Sequence, residues 1–304
     1  MTQRQPQRLR RSQLAVPGSS EKMMIKASQS AADHVFCDLE DAVAPSAKPG
    51  ARQTIVEALN GLDWGRKVRC VRVNDVGTQW CYEDIITVVE GARENVDTIM
   101  LPKPMRPADV VFVDLLLSQL EAKLKIKKRI GIELLIEEVQ ALACVEDIAK
   151  ASPRIESIIF GMGDYSASHG IDIAAINGAS GYPGDIFHYP RFRITMAARA
   201  AGVDPVDGPF ANFKDDEGYR RECRYARALG MVGKWAIHPN QIAGAIETFS
   251  PDPQAVADAR EMAEVYAKAV ADGIGSVNLR GTMVDAATVR LTANLIKTAD
   301  LIGM

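Results

Sequence analysis

The sequence lacks several features that would each define a class of protein. It has no excess of positive charge, because 36 lysines and arginines stand against 39 aspartates and glutamates, for a formal charge of −3. A nucleic-acid-binding protein relies on such an excess, so no nucleic-acid partner is expected. No window approaches the ~20 apolar residues of a membrane-spanning helix. The composition therefore argues against both a nucleic-acid partner and a membrane partner.

Cysteine usage and the N-terminal segment exclude two further classes. The five cysteines are scattered, odd in number and without metal-type spacing, at positions 37, 70, 81, 144 and 223. Reduced thiols of a cytosolic protein account for them. The opening segment MTQRQPQRLRRSQ is basic but leads into no long apolar core, so we expect no secretory signal. These observations predict a soluble, cytoplasmic protein.

Apolar segments alternate with amphipathic segments through most of the chain. Eight strand candidates are Gln13–Val16, HVFCDLEDAV, KVRCVRVN, TIMLPKP, IGIELLIE, SIIFGMGD, DPVDGP and GKWAIHP. Helices are expected at 21–30, 47–60, 81–94, 107–123, 138–150, 191–201 and 215–229. Eight such units in ~250 residues predict an α/β fold, a (β/α)8 TIM barrel over residues 1–249. An open doubly wound sheet is the alternative, but no GxGxxG fingerprint follows the first strand.

Residues 250–304 have a different pattern. A helix opens after two prolines and closes at Gly273, a short hairpin is expected around Arg280 and Gly281, and a last helix follows. This segment is too small to be a stable domain by itself. We therefore expect a C-terminal helical lid that packs on the barrel, packs on a neighbouring subunit, or moves.

Charged or polar residues follow nearly every predicted strand at its carboxyl end. They are Glu40, Asp41, Arg72, Lys103, Glu137, Asp164, Asp207 and His238. Barrel enzymes build their active sites on that rim. Glu137 and Asp164 end successive strand candidates, so the two carboxylates are expected side by side as ligands of a hard cation such as Mg²⁺. The simpler interpretation of each acid is a helix cap or a solvated turn, and Asp164 could cap a helix beginning at Tyr165 or Ser166.

A carboxylate pair with an arginine and a lysine suits a reaction that creates an enolate. Arg72 could hold a carboxylate or a developing oxyanion, and its alternative role is a buried ion pair with Glu40 or Asp41. Lys103, flanked by prolines, either reaches the rim or extends to solvent, and a Schiff-base role would need a desolvating pocket. His238 is assigned to binding only.

Seven motifs occur together in an order that resembles one family. They are LEDAV at 39–43, VRVN at 71–74, PKP at 102–104, LLIE at 134–137, GMGDYSAS at 161–168, VDGPF at 206–210 and GKWAIHP at 233–239. The chain is similar in this respect, over roughly residues 9–302, to the malyl-CoA lyases of the HpcH/HpaI aldolase and citrate lyase β-subunit (CitE-like) superfamily.

The resemblance implies a role for each site residue. It implies that Glu137 and Asp164 hold Mg²⁺, with Mn²⁺ as an alternative, and that Arg72 contacts substrate and oxyanion, with Glu40 and Asp41 among the catalytic residues. It makes Asp285 the lid residue that handles the α-carbon proton; from sequence alone Asp285 is an N-cap. Homotrimers or homohexamers are also implied. Coenzyme A contacts are implied for Arg11, Ala15, Lys26, Gly163, Ile237 and His238.

Two departures from the family pattern concern the CoA site. Ser20 stands where a close relative's motif has an arginine after PGS, and the segment 171–190 is shorter than in long malyl-CoA lyases.

The activity implied is reversible cleavage of a 3-hydroxyacyl-CoA, malyl-CoA or β-methylmalyl-CoA, to acetyl-CoA or propionyl-CoA and glyoxylate. Alternatives are a citramalyl-CoA lyase, a malyl-CoA thioesterase, and a citrate-lyase-type β subunit acting on a carrier-bound thioester.

Overall fold

The structure is a computed structural model that describes residues 7–172 and 182–304. Within these ranges the chain divides into two compact units. The first contains residues 10–248, and the second contains Phe249–Met304 together with Gln7–Leu9. Among the described residues, no helix combines the length and the apolar composition needed to cross a bilayer.

The described part of the first unit contains eight strands in one parallel sheet. They are β1 Ser12–Pro17, β2 His34–Asp38, β3 Val68–Arg72, β4 Thr98–Pro102, β5 Gly131–Ile136, β6 Ile155–Phe160, β7 Asp204–Val206 and β8 Lys234–Ala236. Their order is β7-β6-β5-β4-β3-β2-β1-β8. The remaining seam, between β7 and β8, is bridged at Asp207 and Lys234. The sheet is thus nearly closed, and the predicted TIM-barrel fold is confirmed.

Helices cover the outside of this barrel. They are α1 Glu21–Ser28, α2 Lys48–Gly61, α3 Cys81–Ala92, α4 Pro107–Leu124, α5 Val139–Ala143, α6 Val145–Ile148, α7 Met162–His169, α8 His188–Ala201, α9 Asp216–Ala228 and α10 Asn240–Phe249. The helix expected at 138–150 is divided into α5 and α6, and α10 was not predicted. Helix α7 was predicted only as the alternative to a strand ending at Asp164. The sixth strand ends at Phe160, so the prediction that Asp164 is its last residue is wrong.

Alternating residues of the strands fill the barrel. One apolar layer takes a residue from each of seven strands: Phe36, Cys70, Met100, Leu135, Ile159, Val206 and Trp235. Since side chains alternate along a strand, residues two positions further on share this inward face at the carboxyl end. Asp38, Arg72 and Glu137 occupy such positions. The pleat therefore directs these charged groups into the mouth of the barrel.

The second unit is built from two helices and a hairpin, as the sequence predicted. Helix α11, Pro253–Ala271, begins after Asp252, whose side chain accepts a hydrogen bond from the Ala255 N–H. Strands β9, Ser276–Leu279, and β10, Thr282–Asp285, pair antiparallel. Their turn places Arg280 and Gly281 at φ of 51° and 87°, the left-handed conformation that tight hairpins require. Helix α12, Ala286–Ile302, follows.

Candidate active site

A cleft of about 420 Å³ opens at the carboxyl ends of the barrel strands. Its charged wall consists of Asp38, Asp41, Arg72, Glu137 and Asp164. Its apolar wall includes Ala15, Pro17, Phe36, Ala42, Pro209, Trp235 and Ile237. The cleft thus offers both charged and apolar side chains to a bound molecule. The two acids predicted to bind metal line the same cleft.

Arg72 is held from two sides. Its Nε donates to Asp38 Oδ1 at 2.7 Å and its Nη2 donates to Asp38 Oδ2 at 2.6 Å. The guanidinium lies 5.9 Å from the ring centre of Phe36 and 5.6 Å from that of Trp235. Burial raises the pKa of Asp38, but the charge and hydrogen bonds of Arg72 outweigh burial, so the pKa lies below its usual value. The pair is a permanent ion pair at neutral pH.

The predicted partners of Arg72 are its secondary contacts. Nη1 lies 2.9 Å from Glu40 Oε2 and 3.8 Å from Asp41 Oδ2. Asp38, the main partner, was missed by the sequence interpretation. The signal was the alternation itself, because Asp38 follows the inward-facing Phe36 by two positions.

Lys103 joins three acids of the rim. It follows β4 in the left-handed conformation, with φ of 48°. Its Nζ donates to Glu40 Oε1 at 2.7 Å and lies 3.6 Å from Asp164 Oδ2 and 4.0 Å from Asp41 Oδ1. Burial lowers the pKa of Lys103, but the hydrogen bond and charge of Glu40 outweigh burial and raise it above its ordinary value. A protonated ammonium is the wrong form for a Schiff base.

Glu137 has a carboxylate oxygen without a partner. It directly follows β5, and its Oε1 is buried without a hydrogen bond from any residue that the structure describes. Burial raises the pKa of Glu137 well above its usual value, and the nearby charges of Glu40 and Asp164 add to this, although Arg72 and Lys103 oppose it. A buried carboxylate of this kind is costly unless a cation compensates it.

These residues fit a divalent cation. Asp164 lies in the first turn of α7 with its side chain 42 % exposed, and it contributes to the electrostatics of Glu137. Mg²⁺ takes one or two protein carboxylates and keeps the rest of its coordination for water or substrate oxygens. The unpartnered oxygen of Glu137 and the open side of Asp164 supply such a donor set. The helix expected from Tyr165 or Ser166 begins earlier, at Met162, so Asp164 is not its N-cap.

Another group of candidate metal ligands lies at the opposite end of the barrel. The ligand atoms of His34, Cys70 and Glu133 lie within 4.8 Å of one another, and all three residues are buried. However, Glu133 already accepts hydrogen bonds from Arg10, Gln13, His34 and Thr98. The adjacent Arg10 compensates this acid, so we interpret the group as a polar base of the barrel.

Asp207 and His238 do not line the cleft. The Asp207 carboxylate is fully buried and accepts hydrogen bonds from Arg191 of α8 and Lys234 of β8. Because Val206 faces into the barrel, Asp207 faces out, and its placement on the catalytic rim is corrected. His238 stacks on Phe213 with ring centres 4.7 Å apart, and its Nδ1 accepts the Asn240 N–H.

The residues expected at CoA are divided between the two ends of the barrel. Ala15, Gly163 and Ile237 line the cleft. Arg11 precedes β1, and its Nε and Nη2 donate to Asp33 at 2.8 and 2.7 Å. The six residues of β1 span roughly 20 Å, so Arg11 lies at the end away from the cleft, and its expected phosphate contact stays a prediction.

The segment that follows β1 contains the other expected CoA contact and one departure from the family pattern. Lys26 is exposed in the last turn of α1. Ser20 caps α1, since its side chain accepts a hydrogen bond from the Met23 N–H. The shortened segment 171–190 lies partly outside the described residues.

Asp285 belongs to the second unit and is the N-cap of α12. Its Oδ1 accepts hydrogen bonds from the Thr288 N–H at 2.9 Å and from Thr288 Oγ1 at 3.1 Å. These hydrogen bonds lower the pKa of Asp285 below its usual value. The N-cap interpretation is confirmed. The proton-transfer role stays a prediction.

A parallel barrel with a charged cleft at the carboxyl ends of its strands is the arrangement of a (β/α)8-barrel enzyme. Residues 11–239 match the HpcH/HpaI aldolase/citrate lyase family. The chain belongs to that family, which confirms the predicted class of lyase. The chain is 42 % identical over 306 residues to the L-malyl-CoA/β-methylmalyl-CoA lyase of Rhodobacter capsulatus, covering 97 % of this chain and 96 % of the relative. It is 32 % identical to the human mitochondrial citramalyl-CoA lyase, covering 95 % and 85 %.

Solved structures agree with this assignment. A citrate lyase from Burkholderia xenovorans LB400 superposes with a TM-score of 0.83 and covers 96 % of this chain and 92 % of that one. At 21 % identity this likeness concerns the fold alone. CitE from Mycobacterium tuberculosis, in complex with magnesium, acetoacetate and coenzyme A, has a TM-score of 0.72 at 28 % identity and covers 95 % and 97 %.

Proposed function

We propose that the protein cleaves malyl-CoA or β-methylmalyl-CoA reversibly to acetyl-CoA or propionyl-CoA and glyoxylate. The observation that carries this proposal is the unpartnered, buried oxygen of Glu137, which shares one cleft with Asp164 and Arg72. Relatives that are 40–42 % identical over nearly their whole length carry the name of this activity. The human citramalyl-CoA lyase, at 32 %, is more distant and makes citramalyl-CoA the alternative substrate.

Glu137 and Asp164 are the proposed ligands of Mg²⁺, with Mn²⁺ as an alternative. When bound there, the cation would act as a Lewis acid that polarises the oxygen atoms of the glyoxylate portion. The chain's own contribution is to hold these two carboxylates at the cleft and to keep Glu137 dry. Lys103 and Arg72 limit the repulsion among the acids.

Arg72 is the proposed oxyanion donor. As the 3-hydroxyl loses its proton to water and becomes the glyoxylate carbonyl, the carbon–carbon bond breaks. Its electron pair stays on the thioester portion as an enolate, whose oxygen needs a fixed positive partner. Arg72 is protonated, buried and aligned before substrate arrives. A donor that does not reorganise during the reaction stabilises the transition state more than one that must be oriented.

Asp285 is the proposed acid and base for the α-carbon. In the cleavage direction it gives a proton to the enolate carbon, and in condensation it removes that proton. The second unit would reach the cleft by movement or from a neighbouring subunit of a homotrimer or homohexamer. Ala15, Gly163 and Ile237, which line the cleft, are proposed to contact the CoA thioester, and Lys26 and His238 to lie nearer its phosphates.

The test is an assay of malyl-CoA cleavage with added Mg²⁺ and with EDTA, with glyoxylate and acetyl-CoA measured separately. We expect activity to be lost in EDTA, restored by Mg²⁺, and absent in Glu137→Gln and Asp164→Asn. Glu138→Gln, next in sequence but outside the cleft, is the matched control. Undiminished activity in chelator would refute the metal role.

Product analysis separates the alternatives. A thioesterase releases CoA and malate without glyoxylate, and a carrier-dependent subunit turns over no free CoA thioester. A panel of malyl-CoA, β-methylmalyl-CoA and citramalyl-CoA would identify the preferred acyl group. The acyl groups of these substrates differ by as little as one methyl. A pocket discriminates one methyl by only ~1–3 kcal/mol of binding free energy.

A further inference from the structure

We propose that Asp38 is a positioning residue of this active site. Its carboxylate fixes the plane of the Arg72 guanidinium so that Nη1 is the nitrogen left for the substrate oxyanion. This inference rests on the proposed lyase function and concerns how Arg72 is prepared for it. Asp38 is not one of the residues that sequence motifs assign to the reaction.

The geometry of Asp38 is that of a rigid holder. It is the last residue of β2 and pairs in register with Arg72, the last residue of β3. Its two oxygens take the Nε and Nη2 hydrogens of Arg72 at 2.7 and 2.6 Å. Its Oδ1 also accepts the Glu40 N–H at 2.9 Å, and its Oδ2 accepts the Ala42 N–H at 3.0 Å. Each oxygen therefore has one backbone donor and one guanidinium donor.

A second restraint comes from aromatic rings that face Arg72. Phe36 and Trp235, with ring centres 4.4 Å apart, both lie within cation–π distance of the guanidinium. The rings attract the cation, but this attraction does not select the rotation of the guanidinium within its plane. The bidentate contact with Asp38 does, because only one rotation pairs both nitrogens with both oxygens.

Nη1 is the nitrogen that Asp38 does not hold. It lies 2.9 Å from Glu40 Oε2, but that oxygen has no hydrogen bond of acceptable alignment among the described residues. The other oxygen of Glu40 is bound to Lys103. Nη1 is thus close to an acid without being fixed by it, and it can exchange this contact for a substrate oxygen.

Without Asp38 the guanidinium of Arg72 could pair with other carboxylates. Glu40 and Asp41 lie 2.9 and 3.8 Å from Nη1, and either acid could pair with the guanidinium once it is released to rotate. Such a rotation would leave Arg72 bound in the cleft with a different edge toward the substrate. A misplacement of about 1 Å at a reacting centre can cost ~10²-fold in rate.

The test compares Asp38→Asn with a variant of a second ion pair, whose arginine lies on β3 as Arg72 does. Asp97 holds Arg69 of β3 through the same two nitrogens, Nε at 2.9 Å and Nη2 at 3.2 Å, at the opposite end of the barrel. We expect Asp38→Asn to lower kcat for malyl-CoA cleavage ~10²-fold while KM changes much less. Asp97→Asn should lower the melting temperature at least as much and leave kcat unchanged.

A double-mutant cycle shows whether Asp38 acts through Arg72. The Arg72→Lys variant lacks the two guanidinium nitrogens that bind Asp38. In that background Asp38→Asn should lower kcat little further. An equal fold loss in both backgrounds, or wild-type kcat in Asp38→Asn, would overturn the proposal. Asp38→Glu covers the case in which Asp38→Asn does not fold: it keeps the charge but shifts it, so kcat should fall ~10-fold, and wild-type kcat would refute positioning.

The failure of this inference is distinct from failure of the proposed function. A wild-type protein that cleaves none of the three thioesters refutes the lyase activity. Wild-type cleavage with an unaffected Asp38→Asn variant refutes only the positioning role.

Discussion

Gly161 leaves space that the Glu137 side chain occupies. A Cβ on residue 161 would lie 2.5 Å from the Glu137 Cβ and 2.6 Å from its Oε2. Each residue follows its strand directly, Gly161 after β6 and Glu137 after β5, and the Gly161 N–H donates to the Ile136 carbonyl. The absence of a side chain at 161 is therefore part of what positions the proposed metal ligand.

Gly161→Ala is expected to weaken cation binding. The added methyl must displace the Glu137 carboxylate, and changes around a metal ligand typically cost ~10–100-fold in affinity. Titration of Mn²⁺ followed by electron paramagnetic resonance would measure this. Gly50→Ala on α2, where a Cβ meets nothing within 4 Å, is the control and should bind Mn²⁺ as the wild type does. Unchanged affinity in Gly161→Ala would argue against Glu137 as a ligand.

Asp285→Asn is expected to separate proton transfer from helix capping. Asparagine caps a helix about as well as aspartate, so the stability of α12 should persist, whereas the base is removed. We expect exchange of the acetyl-CoA methyl protons in D₂O, followed by NMR, to slow ~10²-fold or more. Asp252→Asn changes the N-cap of α11 in the same unit and should exchange normally. Wild-type exchange in Asp285→Asn would show that another group moves the proton.

Lys103 is expected not to form a covalent adduct. Although burial lowers its pKa, the hydrogen bond and charge of Glu40 raise it above the ordinary value, so the amine carries its proton at neutral pH. Incubation with glyoxylate and sodium borohydride, followed by peptide mass spectrometry, should label residue 103 no more than exposed lysines such as Lys22. Stoichiometric, selective labelling of Lys103 would instead indicate a Schiff-base mechanism.

Asp97 is expected to contribute to the acid limit of stability. Burial raises its pKa, but Arg69 and Lys128 outweigh burial and lower it from 3.8 to about 2. Because the folded pKa is the lower one, the contribution is complete above pH ~4 and is lost as the pH falls toward 2. The difference corresponds to ~2 kcal/mol in the free energy of unfolding. Urea denaturation between pH 2 and 5 should therefore show a shallower pH dependence for Asp97→Asn than for the wild type. Equal slopes would contradict the assignment.

The barrel was predictable because a buried parallel strand appears in the sequence as a run of apolar residues. The segments LLI at 134–136 and IIF at 158–160 are apolar on both faces, as strands covered by helices and filled from within usually are. Helix α7 was predicted only as an alternative, and for the opposite reason. Its residues MGDYSASH are short, small and polar, with no apolar periodicity, and tertiary context determines their conformation.

The sequence showed which residues belong to the site better than it showed the direction in which their side chains point. Glu137 and Arg72 were identified because an ionisable residue at a strand end is visible in sequence. Whether such a residue faces the barrel or the helices depends on the parity of the strand, which needs a known inward residue. Asp38 was overlooked, although it lies two positions after the inward-facing Phe36 and therefore faces the cleft. Asp207 was placed on the rim, although it lies one position after the inward-facing Val206 and therefore faces the helices. Asp285 remained invisible without the family pattern, because capping explains it completely.

The order of strands has a consequence for synthesis of the chain. Strand β1 obtains its second neighbour only from β8, through contacts such as that between Gln13 and Trp235, which are 222 positions apart. While the ribosome is still producing the chain, one edge of β1 stays unpaired until nearly the whole barrel has emerged. Pairing over such a separation is slow, and an open edge invites association with other chains. The nascent barrel accordingly keeps an edge open to aggregation until its eighth strand is complete.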